Sequence, residues 1–272
     1  MAMHSGRDEP PNELQFSFAE MLREIKEFSH IALSGDFLAP GAERVLDQFY
    51  GHLEQIRRSA PLQGSLGGRP GSIYKWAIFD EDAIITRPST NYERGRRSGG
   101  VEISAKVTAI WQIRPAPRAK KSKESESFHV AGKASVKVEW HETLEQQLIE
   151  PLGMWRMELA DGASPGCYFH AQIQGEDGRK ERPFPHSVPV PRLPCIAFTP
   201  MAVLEFVLGE LFQDLWEGHT RANTSSVETW RGIQRSRLER LLGWQQQMIR
   251  DNSAPPWTAL KSARPHVGLF CE

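Results

Sequence analysis

The segment VEISAKVTAIWQI at residues 101–113 alternates apolar and polar side chains along its whole length, and FHVAGKASVKVEWH at 128–141 repeats the pattern. Alternation with a period of two places the apolar side chains on one face of a β-strand and the polar side chains on the other. Two such segments close together in the chain predict two long antiparallel strands, with one face on the hydrophobic core and the other in water.

Shorter segments on both sides of this pair extend the predicted sheet over residues 73–175. Residues 74–79 and 83–86 flank an acidic turn, and this arrangement predicts a hairpin. Residues 155–159 and 167–174 predict a second pair of strands, because a connection containing glycine and proline separates them.

Helical spacing replaces the alternation before the sheet. Ser17 and Glu20 have the spacing of a capping box, and the apolar side chains that follow predict a helix over 17–31. A second helix is predicted over 41–59, so the N-terminal helices occupy residues 17–59.

The chain returns to helical spacing after the sheet, over residues 199–250. A threonine and a proline open a predicted helix over 199–217, and a second helix is predicted over 226–249. The first of these carries a broad apolar stripe that predicts deep burial. The stripe consists of Met201, Leu204, Val207, Leu208, Leu211, Phe212 and Leu215.

The order of helices, strands and helices predicts an α+β fold. We expect a twisted antiparallel sheet of long strands, with the N-terminal and C-terminal helices packed on one face. Residues 1–15 are polar and predict a flexible arm, and residues 16–272 predict a single domain. Within this domain, a proline-rich segment at 183–198 is expected to run extended across the body of the protein between the sheet and the last helices.

The composition is typical of a soluble globular protein, since 39% of the 272 residues are hydrophobic and 25% are charged. With 33 Lys and Arg against 34 Asp and Glu, the net charge is −1, which does not indicate a globally basic nucleic-acid binder. Cys167, Cys195 and Cys271 are too few and scattered for a disulfide framework, which favours a reducing, cytoplasmic compartment. No signal peptide is recognisable, and no run approaches the roughly 18 apolar residues of a membrane span, so we expect no membrane partner.

PGCYFHAQ at residues 165–172 is the densest group of candidate functional residues. On a strand, Tyr168, His170 and Gln172 share one face, and Arg156 and Glu158 of the preceding strand are expected to join them. The cluster has two interpretations from sequence alone. It is either a set of ordinary strand positions or hydrogen-bonded core groups, or it is a binding or active site.

The catalytic alternative uses His170 as a general base or ligand, with Glu158 orienting the imidazole and Arg192 as the third member of the cluster. This alternative corresponds to an enzyme of unrecognised type, a hydrolase or a nuclease. The sequence contains neither a phosphate-binding loop nor a serine nucleophile motif, and its nine histidines do not have the spacing of metal ligands. We therefore expect no metal and no cofactor.

Two segments concentrate positive charge. Arg94, Arg96 and Arg97 belong to the first, at 87–97, and the second lies in the connection between the two long strands. The cations of the second include Arg118, Lys120 and Lys121. Either segment can contact nucleic acid or an acidic protein. The alternative for the second segment is a solvated hairpin tip without a binding role. No aromatic residue lies in 114–123 to stack on a base.

Three motifs, PGCYFHAQ (165–172), VPRLP (190–194) and EFVLGELFQD (205–214), resemble those of an uncharacterised bacterial protein family, over about residues 73–250. The resemblance implies a bacterial, cytoplasmic protein and carries over no catalytic role. The leading hypothesis is a non-catalytic binding or adaptor protein of a bacterial cytoplasmic system. Its polar sheet face and basic loops would engage a protein partner, or a nucleic acid through the loops, and its oligomeric state is open.

Overall fold

The computed structural model describes residues 13–60, 72–92, 101–117, 126–145, 147–160, 166–173 and 192–271. These residues form six helices and eight strands. In chain order the elements are β1 (Gln15–Ser17), α1 (Phe18–Ser34), α2 (Ala42–Arg58), β2 (Tyr74–Ile78), β3 (Ile84–Ile85), β4 (Ile103–Pro115), β5 (Ser127–Leu144), β6 (Gln147–Leu159), β7 (Phe169–Ile173), β8 (Arg192–Pro194), α3 (Pro200–Phe212), α4 (Asp214–Thr220), α5 (Ser225–Arg250) and α6 (Pro256–Ser262).

All eight strands belong to one antiparallel sheet, in the order β2-β4-β5-β6-β7-β8, with β1 paired to β5 and β3 paired to β4. The two long alternating segments form its centre, where β4 and β5 pair from Ile103 opposite Glu142 to Pro115 opposite Phe128. The register shifts between Trp111 and Ile113, at a β-bulge. The predicted α+β fold with a sheet of long antiparallel strands is confirmed.

The predicted hairpin over residues 74–86 is wrong. β2 and β3 do not pair with each other, because both pair antiparallel with β4: Ile78 lies opposite Ala109, and Ile84 lies opposite Val107. They are two parts of one edge strand, and the acidic turn interrupts them instead of reversing the chain. Alternation and a turn signal identify two strand segments but do not determine which neighbour each segment joins.

The hydrophobic core lies between one face of the sheet and the helices. The ring of Phe49 in α2 stacks on that of Trp76 in β2 at 4.2 Å, and Trp155 in β6 meets Phe206 in α3 edge-on at 5.0 Å. Leu208 in α3 is fully buried within the same cluster. Helices from both ends of the chain therefore pack on one face of the sheet, as the sequence predicts.

A buried ion pair joins the N-terminal and C-terminal helices within this layer. Arg237 in α5 donates from Nη1 to Glu24 Oε2 at 2.7 Å and from Nη2 to Glu20 Oε1 at 2.8 Å. Thr199, whose hydroxyl caps α3, also donates to Glu24. Glu24 is completely buried and Arg237 is 3% exposed, so each charge depends on the other for its stability in the core.

Two segments differ from their predicted form. Leu14 is buried and Gln15 begins β1, so the last residues of the predicted arm, 1–15, belong to the core and the sheet. The predicted helix over 199–217 is two helices, α3 and α4, which break at Gln213, where φ is 47°. The break turns Leu215 outwards, where it is 58% exposed instead of belonging to the buried stripe.

The predicted proline-rich segment lies mostly outside the described residues, which resume at residue 192. From there the chain forms β8 and then enters the core at Phe198.

Candidate functional site

The face of the sheet opposite the helices carries polar and charged side chains in rows that run across the strands. We call this surface the polar face. One row consists of Thr108, Lys137, Arg156, Gln172 and Arg192, from β4 to β8. The next row consists of Ile110, Ser135, Glu158, His170 and Pro194. Strand pairing alone brings these side chains together, because directly opposed residues point to the same side of a sheet.

An acidic turn between β2 and β3 reaches over the edge of the polar face. The Asp80 carboxylate lies 2.8 Å from Lys106 Nζ and 3.7 Å from Lys137 Nζ, and Lys137 also lies 3.4 Å from Glu139. The hydrogen bond from Lys106, together with the two positive charges, lowers the pKa of Asp80 below its ordinary value despite its partial desolvation. Asp80 is therefore an anion at neutral pH, held against cations of the sheet.

Between this turn and the sheet lies a cleft of about 290 Å³. Its charged lining residues are Asp80, Glu81, Lys133, Lys137 and Arg156, and its other lining residues include Phe79, Thr108, Ile110 and Ser135. Lys133 is exposed, and its ammonium has no ion-pair partner in the part of the chain that the structure describes. This cleft is a concave part of the polar face, and we call it the turn cleft.

His170 lies further along the polar face and is only 1% exposed. Its Nδ1 is 2.9 Å from the carbonyl oxygen of Cys167, which can only accept, so Nδ1 carries the proton. Its Nε2 lies 3.2 Å from Gln172 Nε2 and 3.6 Å from Glu158 Oε2. In the neutral ring, Nε2 accepts from the Gln172 amide, and in the protonated ring it donates to the carboxylate.

Glu158 connects this histidine to the centre of the sheet. Hydrogen bonding from His170 is the main cause that lowers the pKa of Glu158, and burial opposes it. The Ser135 hydroxyl and the charge of Arg156 lower it further. The chain of groups runs from serine to glutamate to histidine, so the carboxylate and not the imidazole occupies the middle position. A nucleophilic triad has the imidazole in the middle, and this arrangement is not one.

The structure brings together two members of the predicted His170, Glu158 and Arg192 cluster but not the third. Arg192 lies opposite Gln172 in the neighbouring row, and its Nε is buried without a hydrogen-bond partner. Its stem packs closely on Gly166, where a Cβ would lie 2.4 Å from Arg192 Cδ. Arg192 therefore supports the β7–β8 edge and does not hydrogen-bond the histidine or the glutamate.

Tyr168 does not belong to the polar face. β7 begins at Phe169, so Tyr168 precedes the strand and does not follow its alternation. Its ring is buried in the hydrophobic core, and this burial raises its pKa to about 12. The prediction that Tyr168 points the same way as His170 is therefore wrong, whereas Gln172 and Arg156 lie on the face predicted for them.

The cations predicted to bind a partner in the two basic loops cannot be placed relative to the polar face. Arg94, Arg96, Arg97, Arg118, Lys120 and Lys121 all lie outside the described residues. They adjoin β4 in the sequence, since the first loop precedes it and the second joins it to β5.

Metal ligation has no geometric support in the described ranges, because no group of three or more His, Cys, Asp or Glu side chains there is arranged to hold an ion. Cys167, Cys195 and Cys271 are free thiols. None of the helices in the described part of the chain has the length and apolar character needed to cross a bilayer.

Sequence reasoning did not single out the turn cleft. The alternation places Lys133, Ser135 and Lys137 on the water-facing side of β5, but it treats them as ordinary solvated positions. The cleft depends on a tertiary contact that the sequence does not show, because it forms only where the turn at Asp80 folds over β5. The predicted hairpin would have directed this turn elsewhere.

The chain matches no known protein family, no curated protein and no solved structure. The resemblance to an uncharacterised bacterial family therefore stays a prediction. The functional assignment rests on the polar face and its turn cleft.

Proposed function

We propose that this chain is a non-catalytic binding or adaptor protein of a bacterial cytoplasmic system, and that its partner is a protein that docks on the polar face. The observation that carries the proposal is the asymmetry of the sheet. Helices cover one face, whereas Lys137, Arg156 and Gln172 form a row of polar side chains on the opposite face, where no described helix packs.

The chemistry of this face suits a partner that forms charged and polar contacts. Lys106 and Lys137 are held in place by Asp80, so their ammonium groups are positioned before a partner arrives. Preorganised side chains lose less conformational freedom on binding, which favours affinity. The free thiols suit the reducing compartment that we assign.

The geometry of His170 favours binding over catalysis. A general base must reach a substrate proton, but this ring is 1% exposed and its Nδ1 is engaged by the Cys167 carbonyl. Neither His170 nor Glu158 lines the turn cleft. We therefore assign His170 and Glu158 to the framework of the polar face.

Affinity capture from an extract of the source cell tests the proposal. The bait is the full chain, compared with a variant that combines Lys133→Glu and Gln172→Glu on the polar face. Lys26→Glu on the outer side of α1 is the matched control, since Lys26 is also an exposed lysine. We expect at least one protein to be captured by the parent and the control and lost by the polar-face variant.

Two outcomes would count against the proposal. If all three baits capture the same proteins in equal amounts, the polar face is not the docking surface. If none captures a protein above background, a stable protein partner is not supported. The three baits are compared at equal thermal stability, so that unfolding does not imitate loss of binding.

An enzyme of unrecognised type is the second candidate, because Glu158 lies 3.6 Å from His170, as the catalytic alternative requires. In this case the residues over His170 must open to admit a substrate. Assays of ester and nucleic-acid hydrolysis with the parent and His170→Asn test the candidate. Hydrolysis by the parent that disappears in a folded His170→Asn variant would establish it, and absence of hydrolysis in both would eliminate these two activities.

A further inference from the structure

We infer that the turn cleft binds a short polypeptide segment in which an acidic side chain adjoins a basic one, and that it discriminates against nucleic acid. The inference rests on the proposed binding role of the polar face and specifies the chemistry of the partner at one point on it.

The floor of the cleft supplies a site for one carboxylate. Lys137 and Arg156 lie directly opposite each other on β5 and β6, and Lys133 lines the cleft beside them. Lys133 has no ion-pair partner among the described residues, so its ammonium is available to a ligand. Charge-assisted hydrogen bonds from such groups to a carboxylate are among the strongest polar contacts at interfaces.

Hydroxyl groups complement these cations. Thr108 and Ser135 also line the cleft, one in each of the two polar rows. The Ser135 hydroxyl is engaged by Glu158, and Thr108, which is 8% exposed, contributes the other hydroxyl of the lining. An oxyanion at this position meets donors of both kinds, whereas the ammonium group of a ligand would meet three like charges.

The rim of the cleft has the opposite charge. Asp80 and Glu81 are exposed carboxylates of the turn, and Asp80 lies within 4 Å of the floor, 3.7 Å from Lys137 Nζ. Lys137 is already paired with Asp80 and Glu139, whereas Lys133 and Glu81 have no ion-pair partner among the described residues. One carboxylate from a ligand pairs with Lys133, and a basic side chain next to it in the same ligand meets Glu81 on the acidic rim.

This distribution of charge does not suit a nucleic acid. A phosphate backbone presents a negative charge at every nucleotide and requires a row of cations without intervening acids. Here, a phosphate placed on Lys133 and Arg156 brings its neighbours towards Asp80 and Glu81, where like charges repel them. A polypeptide avoids this repulsion because its charges can alternate in sign.

The dimensions and apolar parts of the cleft also fit a peptide side chain. A volume of about 290 Å³ is at the lower limit of small-molecule pockets and is sufficient for one or two side chains. Phe79 and Ile110 provide apolar surface beside the cations, and Lys75 Nζ stacks 4.6 Å from the centroid of the Phe79 ring. These contacts suit the methylene groups of a glutamate, a lysine or an arginine.

Selection from a phage library of random short peptides against the full chain tests the inference. We expect enriched peptides to contain an acidic residue within one to three positions of a basic residue. The synthetic form of an enriched peptide should lose about tenfold or more in affinity with Lys133→Glu, and it should bind the Lys26→Glu control like the parent. Lys133→Glu should leave folding unchanged, since Lys133 is exposed and has no described ion-pair partner.

The remaining outcomes separate this inference from the proposed function. Enriched peptides that are purely acidic or purely apolar would overturn the inference, even if they bind elsewhere on the polar face. The same holds if no peptide is enriched, or if single-stranded or duplex DNA binds more tightly than the peptides in a manner that depends on Lys133. The proposed function fails separately, if the extract contains no protein whose capture requires the polar face.

Discussion

Leu208 is the residue whose substitution tests the packing of the helix layer most simply. It lies in α3 with none of its surface in water, within the core cluster that joins sheet and helices. Leu208→Ala should lower the free energy of unfolding by about 2–5 kcal/mol, because it leaves a cavity in a close-packed core. Leu242→Ala is the matched control, since Leu242 is 51% exposed, and it should change stability by no more than about 0.5 kcal/mol.

Urea unfolding of the parent and both variants provides the measurement. Equal free energies for the parent and Leu208→Ala would mean that the packing of α3 is misassigned.

Glu158 gives the polar face a defined pH dependence. Its folded-state pKa lies below the ordinary value of 4.5, because His170 and Ser135 hydrogen-bond the ionised carboxylate. The unfolded chain therefore binds the proton more readily than the folded chain. The resulting stabilisation is fully present above the unfolded-state pKa and is lost as the pH falls through the folded-state pKa.

Urea midpoints measured between neutral pH and acid should therefore decrease less steeply for Glu158→Gln than for the parent. Parallel pH profiles for the two proteins would show that His170 and Ser135 do not stabilise the ionised carboxylate of Glu158 in the folded state. Measurements above the ordinary pKa of 4.5 provide the internal control, since both profiles should be flat with respect to this group there.

The alternation of side chains predicts part of the candidate site at the level of single residues. It places Gln172 and His170 on one face of β7 and predicts Glu158 on the same face of the sheet, where it pairs with His170. These positions lie inside strands of regular register. It fails at Tyr168, which lies one residue before the strand begins. It also fails to place Arg192, since no pattern in the sequence gives the register of a strand that follows a proline-rich segment.

The docking of α5 on α1 depends on the buried pair Arg237 and Glu24. Arg237→Met should destabilise the protein by about 3–5 kcal/mol, because it leaves the Glu24 carboxylate buried without its partner charge. The double variant Glu24→Gln with Arg237→Met should recover part of this loss, since the carboxylate that remains, Glu20, is 35% exposed and is solvated in part. Thermal or chemical denaturation of the single and double variants measures the coupling.

An additive double variant, as unstable as the sum of the single changes, would contradict this account of the pair. Sequence reasoning did not predict this pair, because helical spacing assigns each residue to a helix but not to a partner on another helix. Burial of Glu24 among apolar positions of α1 is visible only once α5 is in place.

The connection between β4 and β5 is where the prediction of nucleic-acid binding is tested. Replacing Arg118, Lys120, Lys121 and Lys123 together with serine should leave the fold intact, since all four are polar residues that lie outside β4 and β5 in the sequence. From the charge of the turn cleft, we expect the parent to bind DNA weakly, so that the variant differs little from it.

Binding titrations with generic DNA and RNA at two salt concentrations make this comparison. Strong binding by the parent that weakens in the variant, with a salt slope reduced by about 0.9 for each lost phosphate contact on duplex DNA, would show that the connection binds nucleic acid. This outcome would restore nucleic acid as a partner.

At the level of helices and strands, the long elements are predictable and the short ones are not. β4 and β5 contain many alternating positions, and α5 contains several helical turns, so each pattern repeats often enough to be recognised. β1 has three residues and β3 has two, which is too short for any periodicity. The division between α3 and α4 depends on one residue, Gln213, whose φ is +47°, and nothing in the sequence predicts a positive φ at a glutamine.

The whole molecule places its helices on one side of the sheet and leaves a charged surface on the other. The net charge of −1 does not indicate this charged surface, because the sequence contains nearly equal numbers of cations and carboxylates. Only the fold determines where on the molecule each of them lies. The row from Thr108 to Arg192 is formed by five strands that follow one another in the chain, and their register decides which side chains meet in it. A binding role for this surface could therefore be hypothesised from the sequence, but its shape and its turn cleft could not.

Site-specific photocross-linking in the source cell tests the central claim that the polar face holds a polypeptide partner. A photoreactive amino acid is placed at Lys133, beside the turn cleft, or at Lys26, on the outer side of α1, since both side chains are exposed. The account predicts a discrete cross-link to protein from position 133, absent from position 26 and diminished when Lys137→Glu is added. Cross-links of equal yield from both positions, or cross-links from position 133 to nucleic acid alone, would contradict it.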